Sequence, residues 1–351
     1  SAGDRRLVAW LVRYHLLLSN TAQRRDISDP EVVNDFAASV GNQRRLDYLY
    51  LLTVADIAAT SPRLWTSWKD SLLWDLYRGA GHALRRGLDK PVGRKLVVRE
   101  TRAEALSRLL AAGVQRRAIG SLWRRLPSHA FLRLSVDQLE WMTAAAIERG
   151  DPGPPGVVCR NLEPQRITEV FVWCRDYEGL FATVTSVLDE MRCNVLAARV
   201  VTTGDGVGFD LFQVVDANAG PLNESDTRRL RESLRTRLAQ QQLPPPRHAR
   251  VPRRLREFLS PARIQFSDGD ATEMRLECTD RPGLLSRIAT VFVEQGIRVH
   301  DARIATFGDR VEDAFLLADK DEQLLDAEAR AALEQALRAQ LDAPLDEHTD
   351  P

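Results

Sequence analysis

The chain has 351 residues, with 49 Lys plus Arg set against 49 Asp plus Glu and 44% hydrophobic residues. This length accommodates two to three domains with cores of their own. A balanced charge supplies no global field toward nucleic acid or a membrane surface, and no apolar run approaches membrane-spanning length.

Residues 1 to about 150 read as nearly all helical, because Leu7, Val8, Leu11, Val12 and Leu16, and later Leu46, Leu49, Tyr50, Thr53 and Val54, recur at three to four. The breaker-rich run from Gly150 to Gly156 then closes the helical part. Thr168–Cys174 alternates with period two and predicts a half-buried strand. A turn through Arg175–Gly179 leads into a helix on which Leu180, Val184, Val187, Leu188 and Met191 share a face. A strand over 194–203, a hairpin turn at Gly204-Asp205-Gly206, a returning strand over 207–216 and a helix over 224–239 complete a β-α-β-β-α unit.

The same order then recurs. A linker through Gln240–Arg247 and Val251–Arg254 precedes a second unit with a strand over 273–279, a helix over 284–295, strands over 297–306 and 311–318 and a helix from about Asp326 to Leu341. Arg263–Phe266, with the tight Ser267–Asp270 turn, adds a leading hairpin strand. Asp176, Gly179, Leu180, Ala198, Arg199, Thr202, Gly204, Asp205 and Val207 return as Asp280, Gly283, Leu284, Ala302, Arg303, Thr306, Gly308, Asp309 and Val311, each 104 residues later (280 − 176, 302 − 198). One unit has been duplicated. Each copy predicts an antiparallel sheet with helices on one face, an α+β sandwich.

The run Asp280–Leu285 between strand and helix, followed by Gly296–Ile304, resembles the ACT domain, a regulatory module with this element order. The first copy, with Asp176–Phe181 and Asn194–Arg199, is similar, with Glu178 where the family often has proline. In ACT domains the strand-to-helix loop and the facing strand form amino-acid pockets at domain interfaces. The resemblance therefore points to Asp176, Gly179, Leu180 and Asn194 in the first copy and to Asp280, Pro282, Gly283, Leu284 and His300 in the second as ligand-binding residues. Glycine lets the backbone approach a ligand, and free N–H groups at a helix start favour a carboxylate. The bland reading is that the glycines serve turns and that Asp280 is a helix cap.

Leu7–Ser19, Ala22–Asp26 and Leu51–Ile57 resemble the HD hydrolase domain of the uridylyltransferase/uridylyl-removing family, which modifies the PII nitrogen-signalling protein. The resemblance continues through the segments around Trp65, Leu84–Gly87, Leu122–Leu126 and Thr202–Asp210, so it runs nearly end to end. It implies a multidomain chain: the end of an all-α HD-type region at 1–90, its helical continuation at 91–150 and tandem ACT-type sandwiches at 160–246 and 262–345. HD hydrolases hold a divalent metal, magnesium or manganese, on histidine and aspartate while leaving positions open for water and phosphate. Asp56, costly to bury unless paired or metal-bound, is the candidate late ligand, and His15, on the preceding helix, is a candidate additional ligand or phosphate-facing acid. The single His-Asp dipeptide, His300-Asp301, lies in the second repeat.

The expectation is thus a cytoplasmic, carboxyl-terminal portion without the nucleotidyltransferase domain and without the upstream His-Asp metal motif. It would sense glutamine through its ACT units and act on uridylylated PII. The alternatives are a non-catalytic ACT regulatory protein and an HD phosphohydrolase acting on nucleotides. Cys159, Cys174, Cys193 and Cys278 lack CxxC spacing and are expected to be free buried thiols.

Overall fold

Helix boundaries in the first 150 residues are written in capping chemistry. Asp29 accepts a hydrogen bond from the Glu31 N–H (2.9 Å) and Pro30 opens the helix Pro30–Val40, which ends at Gly41 in the left-handed conformation. Ser135 and Gln138 form a reciprocal capping box at the start of Val136–Arg149.

The computed structural model describes residues 2–25, 27–60, 67–88, 93–150, 155–241, 261–269, 271–281, 283–304, 306–307 and 310–341, and their side chains except at 2, 67, 68, 306, 307 and 310. The chain divides into two units: residues 1–151 with 162–166, and 152–161 with 167–351. Pro282, Trp65 and the linker segments 151–154 and 242–260 lie outside the described residues, as do Asp270, Gly308 and Asp309.

The first unit is helical: α1 Ala2–Tyr14, α2 Leu17–Arg24, α3 Pro30–Val40, α4 Gln43–Thr60, α5 Ser67–Arg86, α6 Arg94–Ala111, α7 Arg116–Trp123, α8 Ala130–Arg133 and α9 Val136–Arg149. Leu18, Phe36, Val40, Leu46, Leu49, Leu73 and Leu76 form the core of its first half. Arg94 at the start of α6 reaches Asp29 at 2.8 Å. Trp123 stacks edge-on against Phe131 and donates to the Thr143 hydroxyl at 2.9 Å, which satisfies the buried indole N–H. No described helix is long and apolar enough to cross a membrane.

The second unit holds β1 Gly156–Leu162, β2 Ile167–Arg175, α10 Leu180–Glu190, β3 Asn194–Arg199, β4 Val207–Val215, α11 Glu224–Gln240, β5 Arg263–Asp268, β6 Thr272–Thr279, α12 Leu284–Glu294, β7 Arg298–Arg303, β8 Thr306–Phe307, β9 Arg310–Ala318 and α13 Ala327–Leu341. The duplicated order is present, and each copy has a leading strand, β1 or β5; the first of these was not anticipated. The strands form one sheet in the order β1-β2-β4-β3-β7-β9-β6-β5, with β8 beside β9. Where separate sandwiches were expected, the two modules share a single sheet and a single apolar cluster, in which Leu180, Val184, Phe212, Ile288, Phe292 and Phe315 participate. The strand Thr168–Cys174 is buried along its length instead of on alternate residues, and its Glu169 is held by Arg160 (2.7 Å) and by the Gln213 amide (3.0 Å).

The seam between the modules is a pseudo-two-fold. Ala198 pairs with Ala302, its own repeat-mate (302 − 198 = 104), flanked by Ala197 with Arg303 and Arg199 with Asp301. The exchanged hydrogen bonds Val200 N–H to His300 O and Ile304 N–H to Leu196 O, both 3.1 Å, obey the same symmetry. Side chains break it. Arg199 reaches Asp301 at 2.5 Å, whereas the mate of that contact would join Arg303 to Ala197, which has no carboxylate; Arg303 instead turns its Nε to within 3.7 Å of Asp301. The constant separation of 104 also ends at the second hairpin: Cys174 faces Gly208 while Cys278 faces Val311 (311 − 208 = 103), so Val207 corresponds to Arg310 and not to Val311. One residue fewer in the second hairpin accounts for the slip, and Asp210 thereby corresponds to Asp313.

Candidate functional site

Gly179 and Gly283 immediately precede α10 and α12, both with left-handed backbone (φ +97° and +72°) and neither with a side-chain cap. The chain can thus turn directly from the end of β2 or β6 into a helix whose first N–H groups lack intrahelical partners. At the first of these turns the sheet leaves room for the helix: a Cβ on Gly208 would stand 2.8 Å from Leu180 Cδ2.

Around that turn lies a cavity of about 450 Å³, within the usual range for small-molecule sites. The first module contributes Asp176–Phe181, Val200, Thr202 and Asp210; the second contributes Ala289, Phe292 and Val293 from α12, Gly296–His300, Lys320 and Glu322. Its lining combines apolar residues, among them Ala289, Phe292 and Val293 of α12, with charged groups. Thr202 donates to Asp176 Oδ2 (2.9 Å), which lies 3.7 Å from Arg298 Nη1; Arg298 also reaches Glu322 (3.2 Å), and His300 Nε2 lies 3.0 Å from the same carboxylate. Asp210 is fully buried. Its Oδ1 accepts the Val201 N–H at 3.1 Å, and its Oδ2 has no hydrogen-bond partner among the described residues. Burial pushes this carboxyl well above the ordinary aspartate range, Asp176 adds repulsion, and the Val201 and Phe209 N–H groups oppose the shift.

Of the residues singled out from the sequence, Asp176, Gly179, Leu180 and His300 meet in this cavity. Asp280, Gly283 and Leu284 occupy the pseudo-symmetric turn, where Gly283 faces Asp189 of α10, a Cβ there lying 3.1 Å from its Oδ2. Burial raises the Asp280 carboxyl, opposed by the Arg281 N–H. Asn194 is exposed and corresponds to Arg298; Leu196 corresponds to His300, and Ala217 and Ala219 correspond to Lys320 and Glu322. Arg298, His300, Lys320 and Glu322 therefore have no charged counterparts at the other end of the seam. Thr202, Asp210, Arg298, Lys320 and Glu322 were missed by sequence reasoning. A charged residue inside the apolar run 207–215 was the one available signal for Asp210.

In the helical unit two expectations are corrected. His15 is not on a helix: α1 stops at Tyr14, and His15 lies exposed in the turn to α2, its Nδ1 2.9 Å from the Val12 carbonyl oxygen. Asp56 is exposed and not buried, and Leu52, one turn before it on the same face of the helix, is exposed as well. Thr53, one turn before Asp56, hydrogen-bonds the His15 carbonyl (3.4 Å), so the two segments are neighbours. Among the described residues no three His, Cys, Asp or Glu side chains are grouped to hold a metal ion. His15 and Asp56 do not by themselves fit a cation. A larger cavity of this unit, about 540 Å³, includes Asp75, Tyr77, Arg78 and His82 but neither of those two. Burial raises the Asp75 carboxyl, opposed by Arg78.

None of the four cysteines is joined in a disulfide among the described residues. Burial pushes the thiols of Cys159, Cys174 and Cys193 up to about 12, which leaves them protonated and inert.

Residues 94–145 match the family described as the fifth domain of uridylyltransferase GlnD, and residues 272–338 match the ACT domain family. Over 97% of its length the chain is 45% identical to the bifunctional uridylyltransferase/uridylyl-removing enzyme of Xanthomonas axonopodis pv. citri (strain 306) and 44% identical to that of Xanthomonas oryzae pv. oryzae (strain MAFF 311018). It is 36% identical over its whole length to the enzyme of the same name from Pseudomonas putida (strain GB-1). The chain spans about 40% of the length of these relatives. No solved structure matches it.

Proposed function

We propose, the chain being a portion of the bifunctional uridylyltransferase/uridylyl-removing enzyme family, that its second unit is a pair of ACT-type modules sensing glutamine and that the whole enzyme adds UMP to PII and removes it under that control. The observation that carries this reading is the cavity between the modules. An α-amino acid needs partners for one cation and one anion close together, and the cavity sets Asp176 and Glu178 near Arg298, His300 and the uncapped start of α10.

Control follows from where the ligand sits. Asp176 belongs to the first module and Arg298 to the second, so a ligand engaging both changes the free energy of their packing. The balance of two activities shifts only by the difference in affinity between the two arrangements. The helical unit is read as an HD-type hydrolase region in which His15 and Asp56 face the substrate side. Magnesium or manganese belongs to the proposal at the level of the whole enzyme alone, since the described residues of this chain do not form its site.

A second reading is supported by the exposure of His15 and Asp56: the chain is regulatory, with its helical unit a scaffold. Isothermal titration of the folded chain with glutamine and a panel of other amino acids tests the sensory claim, and no heat from any of them rejects it. Release of UMP from uridylylated PII by the chain, lost in Asp56→Ala, separates hydrolase from scaffold.

A further inference from the structure

Asp210 is the strongest unexplained feature of the second unit. A fully buried carboxyl whose Oδ2 finds no hydrogen bond among the described residues is an expensive thing for a fold to keep. The position alone does not single it out, because Asp313 holds the corresponding place in the other module and is also buried. What distinguishes Asp210 is its company. It lines the cavity with Asp176, and Asp176 is an acidic neighbour close enough to push its carboxyl further up. Arg298, His300 and Lys320 line the same cavity from the second module, while their counterparts at the other end of the seam are Asn194, Leu196 and Ala217.

We propose that Asp210 receives the ammonium group of the amino acid bound between the modules and Arg298 its α-carboxylate, so that the cavity reads a zwitterion in one fixed orientation. This rests on the sensory reading given above and adds to it the polarity of the ligand and the two residues that set it. An ammonium group carries three donors and one positive charge. It satisfies the open oxygen of Asp210 and favours the ionised carboxylate against burial and the nearby Asp176, which no neutral ligand group does. Arg298 already forms a link across the seam, 3.7 Å from Asp176, and also lies 3.2 Å from Glu322, and its half-exposed guanidinium has donors to turn toward an incoming carboxylate. The apolar wall of Ala289, Phe292 and Val293 takes the methylene stem. Oriented this way, the ligand ties a β4 residue of the first module to a β7 residue of the second.

The test is titration calorimetry on the full chain with three probes: L-glutamine, 4-carbamoylbutanoate, which is glutamine without its ammonium, and L-glutamine α-amide, in which the carboxylate is neutralised. The wild type is expected to bind glutamine about tenfold to a hundredfold tighter than either analogue, the range for one lost charge-assisted hydrogen bond. Asp210→Asn, which keeps an acceptor for the Val201 N–H, is expected to narrow the preference over 4-carbamoylbutanoate to less than about threefold and leave the preference over the α-amide in place. Arg298→Ala is expected to do the reverse. Equal weakening of all three probes in a variant marks a merely structural residue and overturns the assignment, as does unchanged glutamine affinity in both variants; in those cases the sensory reading stands. No binding of any probe to folded wild-type chain removes the reading and the assignment together. Should Asp210→Asn fail to fold, the wild-type probe series and the rim variant Arg298→Ala decide the matter, and absence of any preference for glutamine over its analogues overturns it.

Discussion

Replacing Arg199 by alanine tests the idea that the two modules are held as one body by their seam. Arg199 Nη1 lies 2.5 Å from Asp301 Oδ1, with the side chains 18% and 4% exposed. Removing one partner of such a pair leaves a buried charge and costs about 3–5 kcal/mol when nothing replaces it. Arg303 Nε, 3.7 Å from the other oxygen of Asp301, remains as a partial substitute, so about 2–4 kcal/mol is expected. Hydrogen exchange at the Ala198 and Ala302 amides, which flank the pseudo-two-fold, reads the seam directly. Protection there should fall by roughly 30-fold to 1,000-fold, at about 1.4 kcal/mol per tenfold. Asp301→Ala should cost less in the Arg199→Ala background than alone, giving a coupling of at least about 1 kcal/mol. A protection loss below about threefold, or additive effects of the two substitutions, refutes the reasoning: the pair would then be no stronger than a surface ion pair.

The raised carboxyl of Asp210 makes a second prediction through linkage. The folded state holds this proton to higher pH than the unfolded chain does, so the group's contribution is fully present at low pH and is lost as pH rises past about 4, the ordinary carboxylate value, toward its raised folded value. The melting temperature of Asp210→Asn minus that of the wild type, both without ligand, should therefore increase from pH 4 to pH 8; a pH-independent difference contradicts the buried-carboxyl account. Gly283→Ala combines a left-handed backbone with a Cβ only 3.1 Å from Asp189 Oδ2 and should destabilise the second unit by about 1–2 kcal/mol in denaturant titration; a neutral result means that the turn relaxes freely. Cys159, Cys174 and Cys193, protonated up to about pH 12, should resist a thiol reagent at pH 8 in the native chain and react promptly in denaturant, and rapid native labelling of all three counts against the packed core.

The elements of the duplicated region were legible from pattern and punctuation: Glu273–Thr279 alternates as a strand, Thr168–Cys174 is a strand-length apolar run closed by a turn although its predicted alternation was wrong, and Leu180–Glu190 and Leu284–Glu294 carry apolar faces as helices. The joining of the modules was not legible. It depends on the edge strands β3 and β7 meeting at Ala198 and Ala302, and nothing in a strand's own sequence states which edge it will pair with. The cavity was half legible. Its loop, Asp176–Leu180, stood out through repetition, while Arg298, Lys320 and Glu322 occupy positions at which the repeat differs, so a search for recurrence passed over them. The expectation that Asp56 is buried failed for a different reason. An apolar run such as Leu49–Ile57 looks buried on every side, yet Leu51 and Asp56 are both exposed, and burial of a helix face is decided by what packs on it.

Hydrogen exchange of the folded chain with and without saturating glutamine tests the central claim most directly, that an amino acid is held between the two modules at the Arg298 end of their seam. Protection should rise together in Asp176–Phe181 and in Gly296–His300, segments more than a hundred residues apart in sequence that line one cavity. Glutamine binding that leaves both segments unchanged, or that protects only the opposite turn at Gly283–Leu284, contradicts the account.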